Sequence, residues 1–114
     1  MISITFVVKE IPPWKQVPAD AAEREQQAER LKVLQQVAKA SVGESAPLSR
    51  PCAVSMHYCR KRGRADSANI VGGVLDGLQR IVYQDDKWVA RISYDERRES
   101  EDWYQVTVTE LEVG

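Results

Sequence analysis

The chain has 114 residues, with 16 Lys and Arg, 17 Asp and Glu and a formal net charge of −1. This length fits one domain over residues 1–114, and a hydrophobic share of 43% excludes a disordered chain. The near-zero charge excludes a uniformly basic protein that coats nucleic acid. Since no apolar run approaches the roughly 20 residues of a membrane helix, and the N-terminus lacks the basic start of a signal peptide, we expect a cytoplasmic protein without a membrane partner.

The first half of the sequence predicts a strand, a loop and a long helix. Residues 2–8 alternate loosely and are rich in β-branched side chains, which favours a strand. The proline-rich residues 11–18 predict a loop. Within residues 21–42, apolar side chains recur at helical spacing. Asp20 and Glu23, at the start of this segment, have the spacing of a capping box. We expect a helix of about 22 residues, whose alanine-rich first half is exposed or packed on a partner.

The second half predicts another strand, another helix and two further strands. These elements cover residues 52–58, 67–79, 88–94 and 103–111. The charged stretch between the last two, residues 95–102, is typical of the exposed loop of a β-hairpin. The order β-α-β-α-β-β predicts an α+β (mixed α/β) domain with two helices around one small sheet.

The cysteines and the single histidine offer little for covalent or metal chemistry. Cys52 and Cys59 fall on one predicted strand, about 23 Å apart, which is too far for a disulfide. We therefore expect free thiols, as in a reducing compartment. A nucleophilic site would have to use His57, beside Cys59, and a plain sheet residue is the simpler interpretation.

The charge is concentrated in the middle of the chain. Residues 60–80 hold 5 basic and 2 acidic side chains, whereas residues 81–114 hold 4 basic and 9 acidic ones. Four of the basic residues are Arg60, Lys61, Arg62 and Arg64. Such a cluster can bind phosphates, and an ordinary solvated surface is the alternative.

The second predicted helix has an unusual polar face opposite a compact apolar stripe. The polar residues are Asp66, Asn69 and Asp76, and the glycines beside them are Gly72, Gly73 and Gly77. Each glycine costs about 1 kcal/mol of helix stability relative to alanine. We therefore expect a close approach of another backbone, a partner helix or a nucleic-acid strand, with plain helix packing as the alternative.

Two adjacent carboxylates follow this helix. Asp85 and Asp86 read most simply as a turn between strands. They could also join Asp66 and Asp76 as oxygen ligands of Mg²⁺, which usually takes one or two carboxylates, water and substrate phosphate. A metal there would stabilise charge on a phosphodiester and activate a water.

These same residues resemble a known family. The segments 64–69 (Arg-Ala-Asp-Ser-Ala-Asn), 75–78 (Leu-Asp-Gly-Leu) and 83–89 (Tyr-Gln-Asp-Asp-Lys-Trp-Val) are similar to those of the RusA family of Holliday junction resolvases. The Pro12-Pro13 loop and the order of elements agree. The resemblance implies a homodimeric endonuclease, dependent on Mg²⁺ with Mn²⁺ as an alternative, that nicks four-way DNA junctions in recombination and repair. Such proteins are often encoded by phages or prophages and need no small-molecule cofactor.

The resemblance also assigns roles. It implies Asp66, Asp86 and Asp85 as catalytic residues and Asp66, Asp86 and Asp76 as metal ligands. The expected DNA-binding residues are Arg60, Lys61, Arg62, Arg64, Asn69, Lys87 and Arg91. Ala68 replaces the family's second aspartate and Gly72 its lysine, so one oxygen ligand and one cation are missing. Asp76 or Asp85 could complete the metal shell, and the basic cluster could supply the charge.

Three hypotheses remain open at the level of sequence. The first is an active junction resolvase with a modified metal site. The second is a catalytically impaired relative that binds branched DNA without cleaving it. The third is a dimeric interaction protein that does not bind DNA.

Overall fold

A computed structural model describes residues 2–112 of the chain. Within them, two α-helices cover one face of a four-stranded mixed sheet, and the predicted α+β fold and element order are confirmed. The elements are β1 (Ser3–Val8), α1 (Ala21–Ser41), β2 (Cys52–Arg60), α2 (Ser67–Gly77), β3 (Val89–Arg98) and β4 (Trp103–Glu110), with a 3₁₀ turn at Asp86–Trp88. None of the helices in these residues is long and apolar enough to cross a membrane.

The strand order in the sheet is β1-β4-β2-β3. β4 is antiparallel to both β1 and β2, whereas β3 is parallel to β2. Parallel neighbours need a crossover connection, and here α2 provides it. Along the strand direction, we call the end of the sheet where β2 finishes the Arg60 end, and the end where β2 begins the Cys52 end. α2 therefore starts at the Arg60 end and returns the chain to the Cys52 end, where Val89 pairs with Cys52.

The predicted hairpin between the last two strands is wrong. β3 and β4 do not pair with each other in the described sheet, because β2 lies between them. The charged residues from Asp95 to Arg98 also belong to β3 rather than to a loop, and Asp95 pairs in register with His57. The physical reason is that β3 is an edge strand, and edge strands accept charged side chains that a central strand would not.

The core lies between the sheet and the helices. One face of β2 is buried through Cys52, Val54, Met56 and Tyr58, as its alternation predicts. Alternate residues of β1 and β4 extend this apolar layer, and both helices pack onto it. The first half of α1 is largely exposed, as expected from its alanines. Both cysteine thiols are free and buried, which confirms the sequence prediction.

The glycines of α2 permit the expected close approach. A Cβ at Gly73 would lie 2.6 Å from the Pro13 carbonyl oxygen and 2.7 Å from the Trp14 Cα. A Cβ at Gly77 would lie 2.8 Å from a Leu31 methyl group on α1. The loop of residues 11–18 thus lies directly on α2 at Gly73, while α1 packs on α2 at Gly77.

Candidate functional site

Asp66 caps the start of α2 at the Arg60 end of the sheet. Its Oδ1 accepts a hydrogen bond from the Asn69 amide at 2.9 Å, which satisfies one of the free N–H groups of the first helical turn. The Asn69 side-chain amide donates to the other carboxylate oxygen at 3.3 Å. The predicted catalytic aspartate and the predicted asparagine are therefore in contact, and Asp66 is exposed to solvent.

The loop of residues 61–64, which we call the basic loop, is held by an acidic residue at the start of β4. The Asp102 side chain is only 4% exposed. It accepts hydrogen bonds from the Tyr58 hydroxyl at 2.6 Å and from the backbone amides of Lys61 and Arg62 at 2.9 Å each. Burial alone would raise the pKa of Asp102, but these hydrogen bonds keep it below its usual value. The carboxylate is therefore ionised at neutral pH and fixes the backbone of the loop.

Arg60 braces the same loop from the other side. It is buried at the end of β2 and forms a bidentate pair with Glu96, with both contacts at 2.8 Å. Its Nη1 donates to the carbonyls of Gly63 at 2.9 Å and Ala65 at 2.8 Å. The hydrogen bond from Arg60 lowers the pKa of the Glu96 carboxyl. Arg60, a predicted DNA contact, therefore uses its donors within the protein, where they support the basic loop.

The other cations of the basic loop face solvent. Lys61, Arg62 and Arg64 are exposed, and Arg98 of β3 lies beside them. They surround an open depression of about 570 Å³ at the Arg60 end. Asp66 follows Arg64 by only two positions. The structure therefore brings exposed cations next to the first predicted catalytic carboxylate.

The two remaining predicted DNA contacts are elsewhere. Lys87 belongs to the 3₁₀ turn, with its ammonium 5.5 Å from the centre of the Trp88 ring. Arg91 pairs in register with Ala53, near the start of β2. Both lie at the Cys52 end of the sheet, so the structure does not join them to the basic loop.

A cleft that the sequence did not reveal lies beside the basic loop. It has a volume of about 770 Å³ and is lined by the loop of residues 11–18, by α1 and by Arg62 and Arg64. The Arg30 guanidinium of α1 stacks in it 4.2 Å from the centre of the Trp14 ring. Within residues 2–112 its Nη1 is buried without a hydrogen-bond partner, and burial lowers the pKa of Arg30. A bound anion would satisfy this donor.

The acidic residues that line the cleft accept hydrogen bonds from backbone amides. Asp20 accepts from the Glu23 amide at 2.8 Å, and Glu23 accepts from the Ala19 amide at 2.8 Å. Both contacts cap the start of α1, which confirms the predicted capping pair. These hydrogen bonds hold both carboxylates at the start of α1, and the charge of Glu23 still acts on Arg30 and favours its protonated form.

The remaining predicted carboxylates lie at the Cys52 end. Asp76 is in the last turn of α2, ten residues after Asp66, or about 15 Å along the helix axis. Asp85 accepts from the Lys87 amide at 2.9 Å, and this hydrogen bond lowers the pKa of its carboxyl. The Asp86 amide donates to the Gln79 side chain at 3.2 Å. Asp66 is therefore separated from the other three aspartates by the length of α2.

The fit to a divalent cation is partial. Among residues 2–112, no three His, Cys, Asp or Glu side chains lie close enough together to hold a metal ion. The predicted set of Asp66, Asp86 and Asp76 is not gathered around one point within this chain. Asp85 and Asp86 are adjacent in the chain, and both are exposed. Since Mg²⁺ commonly takes one or two carboxylates together with water and phosphate oxygens, this pair fits a minimal site.

The alternative of a cysteine nucleophile finds little support. His57 is a residue of β2, hydrogen-bonded to Asp95 of β3, and its Nε2 lies 3.6 Å from the Cys59 sulfur. However, Cys59 is fully buried, so a substrate carbonyl cannot reach its thiol. The interpretation of His57 as a sheet residue is confirmed.

Comparison with known protein families gives one match over nearly the whole chain. Residues 4–109 match the family described as Endodeoxyribonuclease RusA. No curated protein matches the chain. The matched residues include both helices, β2, β3, all but one residue each of β1 and β4, and every residue of the sites above.

Proposed function

We propose, since the chain belongs to the RusA endodeoxyribonuclease family, that it is a Holliday junction resolvase that nicks four-way DNA junctions in recombination and repair. The observation that carries this proposal is the braced basic loop directly before Asp66. Its backbone is fixed by Asp102, and its exposed cations are close in the chain to the Asp66 carboxylate. A rigid cationic surface next to carboxylates suits a protein that holds a phosphodiester and hydrolyses it.

The Arg60 end would provide the DNA contacts. Lys61, Arg62 and Arg64 are exposed and can each neutralise a backbone phosphate, and the Arg62 Nε also lies 3.8 Å from the Asp102 carboxylate. The neighbouring cleft adds Arg30, whose buried donor would gain a partner from a phosphate oxygen. Trp14 beside it offers an aromatic surface on which an unpaired base at the branch point can stack.

The carboxylates would provide the hydrolytic chemistry. When bound, a divalent cation such as Mg²⁺ or Mn²⁺ would neutralise charge on the phosphate and favour ionisation of the attacking water. Asp85 and Asp86 would hold it, with Asp76 beside them at the same end of α2. Asn69 orients the Asp66 carboxylate, which stays available at the start of the helix. Because α2 separates the two groups, a homodimer that matches the two-fold symmetry of a junction would present both to the same DNA.

The test uses a labelled four-way junction and a duplex of the same sequence, with Mg²⁺ or Mn²⁺. We expect metal-dependent nicking of the junction that Asp86→Asn abolishes. Glu44→Gln, an exposed loop residue, serves as the control that keeps activity. Tight binding with no nicking by the unaltered protein would refute the endonuclease. Absence of binding at about 50 mM salt would refute a DNA function altogether and favour an interaction protein. Light scattering during gel filtration would test the dimer.

Binding without cleavage is the second candidate function. The observation that favours it is Ala68, whose exposed methyl group cannot ligate a metal, on a face where no three-ligand set is gathered within residues 2–112. Ala68→Asp combined with Gly72→Lys separates the two candidates. Nicking that appears only in this double variant would identify an impaired relative, whereas nicking by both proteins would identify an active resolvase.

A further inference from the structure

The carboxylate face of α2 has no cation of its own. From residue 65 to residue 79 the sequence contains neither lysine nor arginine. Charge develops on the phosphate and on the leaving oxygen during hydrolysis, and an enzyme stabilises it best with a positioned positive group. The resemblance in sequence places the family's lysine at Gly72, where there is no side chain. The structure therefore has to supply this charge from another element or do without it.

Lys15, from the loop before α1, lies across the empty position. Its backbone amide donates to the Asn69 carbonyl at 2.9 Å. A Cβ at Gly72 would lie 3.4 Å from both the Cβ and the Cδ of Lys15. The Lys15 ammonium then reaches Asp76, with 3.5 Å between Nζ and Oδ2. The lysine stem thus runs along α2 in van der Waals contact with the position that a Cβ of residue 72 would take.

A lysine side chain at position 72 would bring its ammonium group to Asp76, as Lys15 does. Positions 72 and 76 are one helical turn apart on one face, so a lysine there would pair with Asp76. We propose that Lys15 replaces the missing lysine and contacts the phosphate at the cleavage site, while Asp76 acts as a positioning residue for its ammonium. This inference rests on the proposed function and adds a catalytic residue to it.

The surroundings of Lys15 suit this role. Its side chain is 69% exposed, so the ammonium is accessible to a phosphate. Asp76 is 42% exposed, and an ion pair in water is weak enough to exchange one oxygen partner for another. The backbone is nevertheless fixed, because Gly73 packs against Pro13. Lys15 therefore combines a closely packed backbone with an exposed ammonium group.

The first test is Lys15→Met, which keeps the stem over Gly72 and removes the charge. We expect the maximal rate of junction nicking to fall by about 100-fold, as on loss of one group that stabilises a transition state. Junction affinity without metal should change by less than about threefold, because many other phosphate contacts remain. Lys15→Arg should keep a large part of the rate. Lys39→Met, at an exposed position in the last turn of α1, should keep all of it. Nicking by Lys15→Met at the unaltered rate would overturn the proposal.

Rescue distinguishes a catalytic charge from a structural contact. Lys15→Ala removes the Cδ that a side chain at position 72 would meet. Gly72→Lys added to Lys15→Ala should restore the rate at least tenfold, whereas Gly72→Lys alone should add little. Failure of the rescue in a folded double variant would overturn the replacement.

A second readout separates this inference from the proposed function. Acetylation of lysines is measured by mass spectrometry with and without a bound junction. We expect DNA to protect Lys15 and to leave Lys39 reactive. If the unaltered protein nicks junctions but Lys15 stays reactive, only this inference fails. If it binds no junction, the proposed function fails and this inference fails with it.

Discussion

Asp102→Ala would test whether the basic loop is shaped by a distant carboxylate. Asp102 accepts hydrogen bonds from the Tyr58 hydroxyl and from the backbone amides of Lys61, Arg62 and Gly63 at 2.6–3.3 Å. The substitution removes all of these bonds at once. It leaves the hydroxyl of the buried Tyr58 without its acceptor, and it frees the loop that carries the predicted DNA contacts.

The expected loss of folding stability depends on which donors to Asp102 become accessible to water. A hydrogen bond to a charged group contributes about 1.5–3 kcal/mol when its donor cannot turn to water. Lys61 and Arg62 are exposed, so their amides regain water, and we count a full loss only for Tyr58 and Gly63. Relief of the buried charge offsets part of this sum. We therefore expect the free energy of unfolding to fall by about 3 kcal/mol.

Urea unfolding followed by circular dichroism at pH 7 measures this loss. Glu101→Ala is the matched control, since it removes the same charge from the preceding, exposed residue and should change stability by less than about 0.5 kcal/mol. In a mobility-shift assay, Asp102→Ala should bind a junction about tenfold more weakly, because the loop must be ordered on binding. Equal unfolding free energies for the two variants would refute the reasoning.

Three further predictions concern the cleft, the close approach and pH. Arg30→Met should lower junction affinity about tenfold, because one phosphate contact is lost. The slope of log affinity against log salt concentration, measured between two salt concentrations, should become shallower by about one. An unchanged slope would exclude a phosphate contact of Arg30. Gly73→Ala should destabilise the fold by about 1–3 kcal/mol in thermal melts, because its Cβ would meet backbone, while Gly43→Ala, with no described atom within 4 Å of its Cβ, should not. The pKa of Asp102 is lowered in the fold, so its stabilisation is present above its usual value of 3.8 and is lost as pH falls through the folded value. The stability gap between Asp102→Ala and Glu101→Ala should accordingly shrink from pH 7 to pH 3, and a constant gap would contradict a charged role.

The sequence predicted the elements with strong patterns and missed the pairing of the edge strand. The helical spacing of apolar residues in α1 and their alternation in β2 each reflect one buried face. Such a face can be recognised from the amino-acid sequence alone. The charges from Asp95 to Arg98 indicated a loop, because residue types do not show that a strand has a neighbour on one side only. In the fold, the inner one of these charges, Glu96, is neutralised by Arg60.

The site could be predicted in part for a related reason. The carboxylates and the basic cluster stand close together in the sequence, so their pattern was visible. Trp14, Lys15 and Arg30 come from segments far from α2, and only folding brings them to it. The glycines of α2 were the one available signal, since they indicated that something must approach closely. They did not say that the approaching loop carries a lysine.

The brace of the basic loop has a consequence for how the protein can be divided. Its two anions, Glu96 and Asp102, come from the part of the chain that holds 4 basic and 9 acidic residues, residues 81–114. A peptide of residues 60–80 would carry the cations without the groups that arrange them, and a chain cut before β4 would lose Asp102 as well as a central strand. The basic segment of residues 60–80 therefore depends on the acidic segment of residues 81–114 for its conformation. Substitutions in the acidic segment should alter DNA binding without any direct contact with DNA.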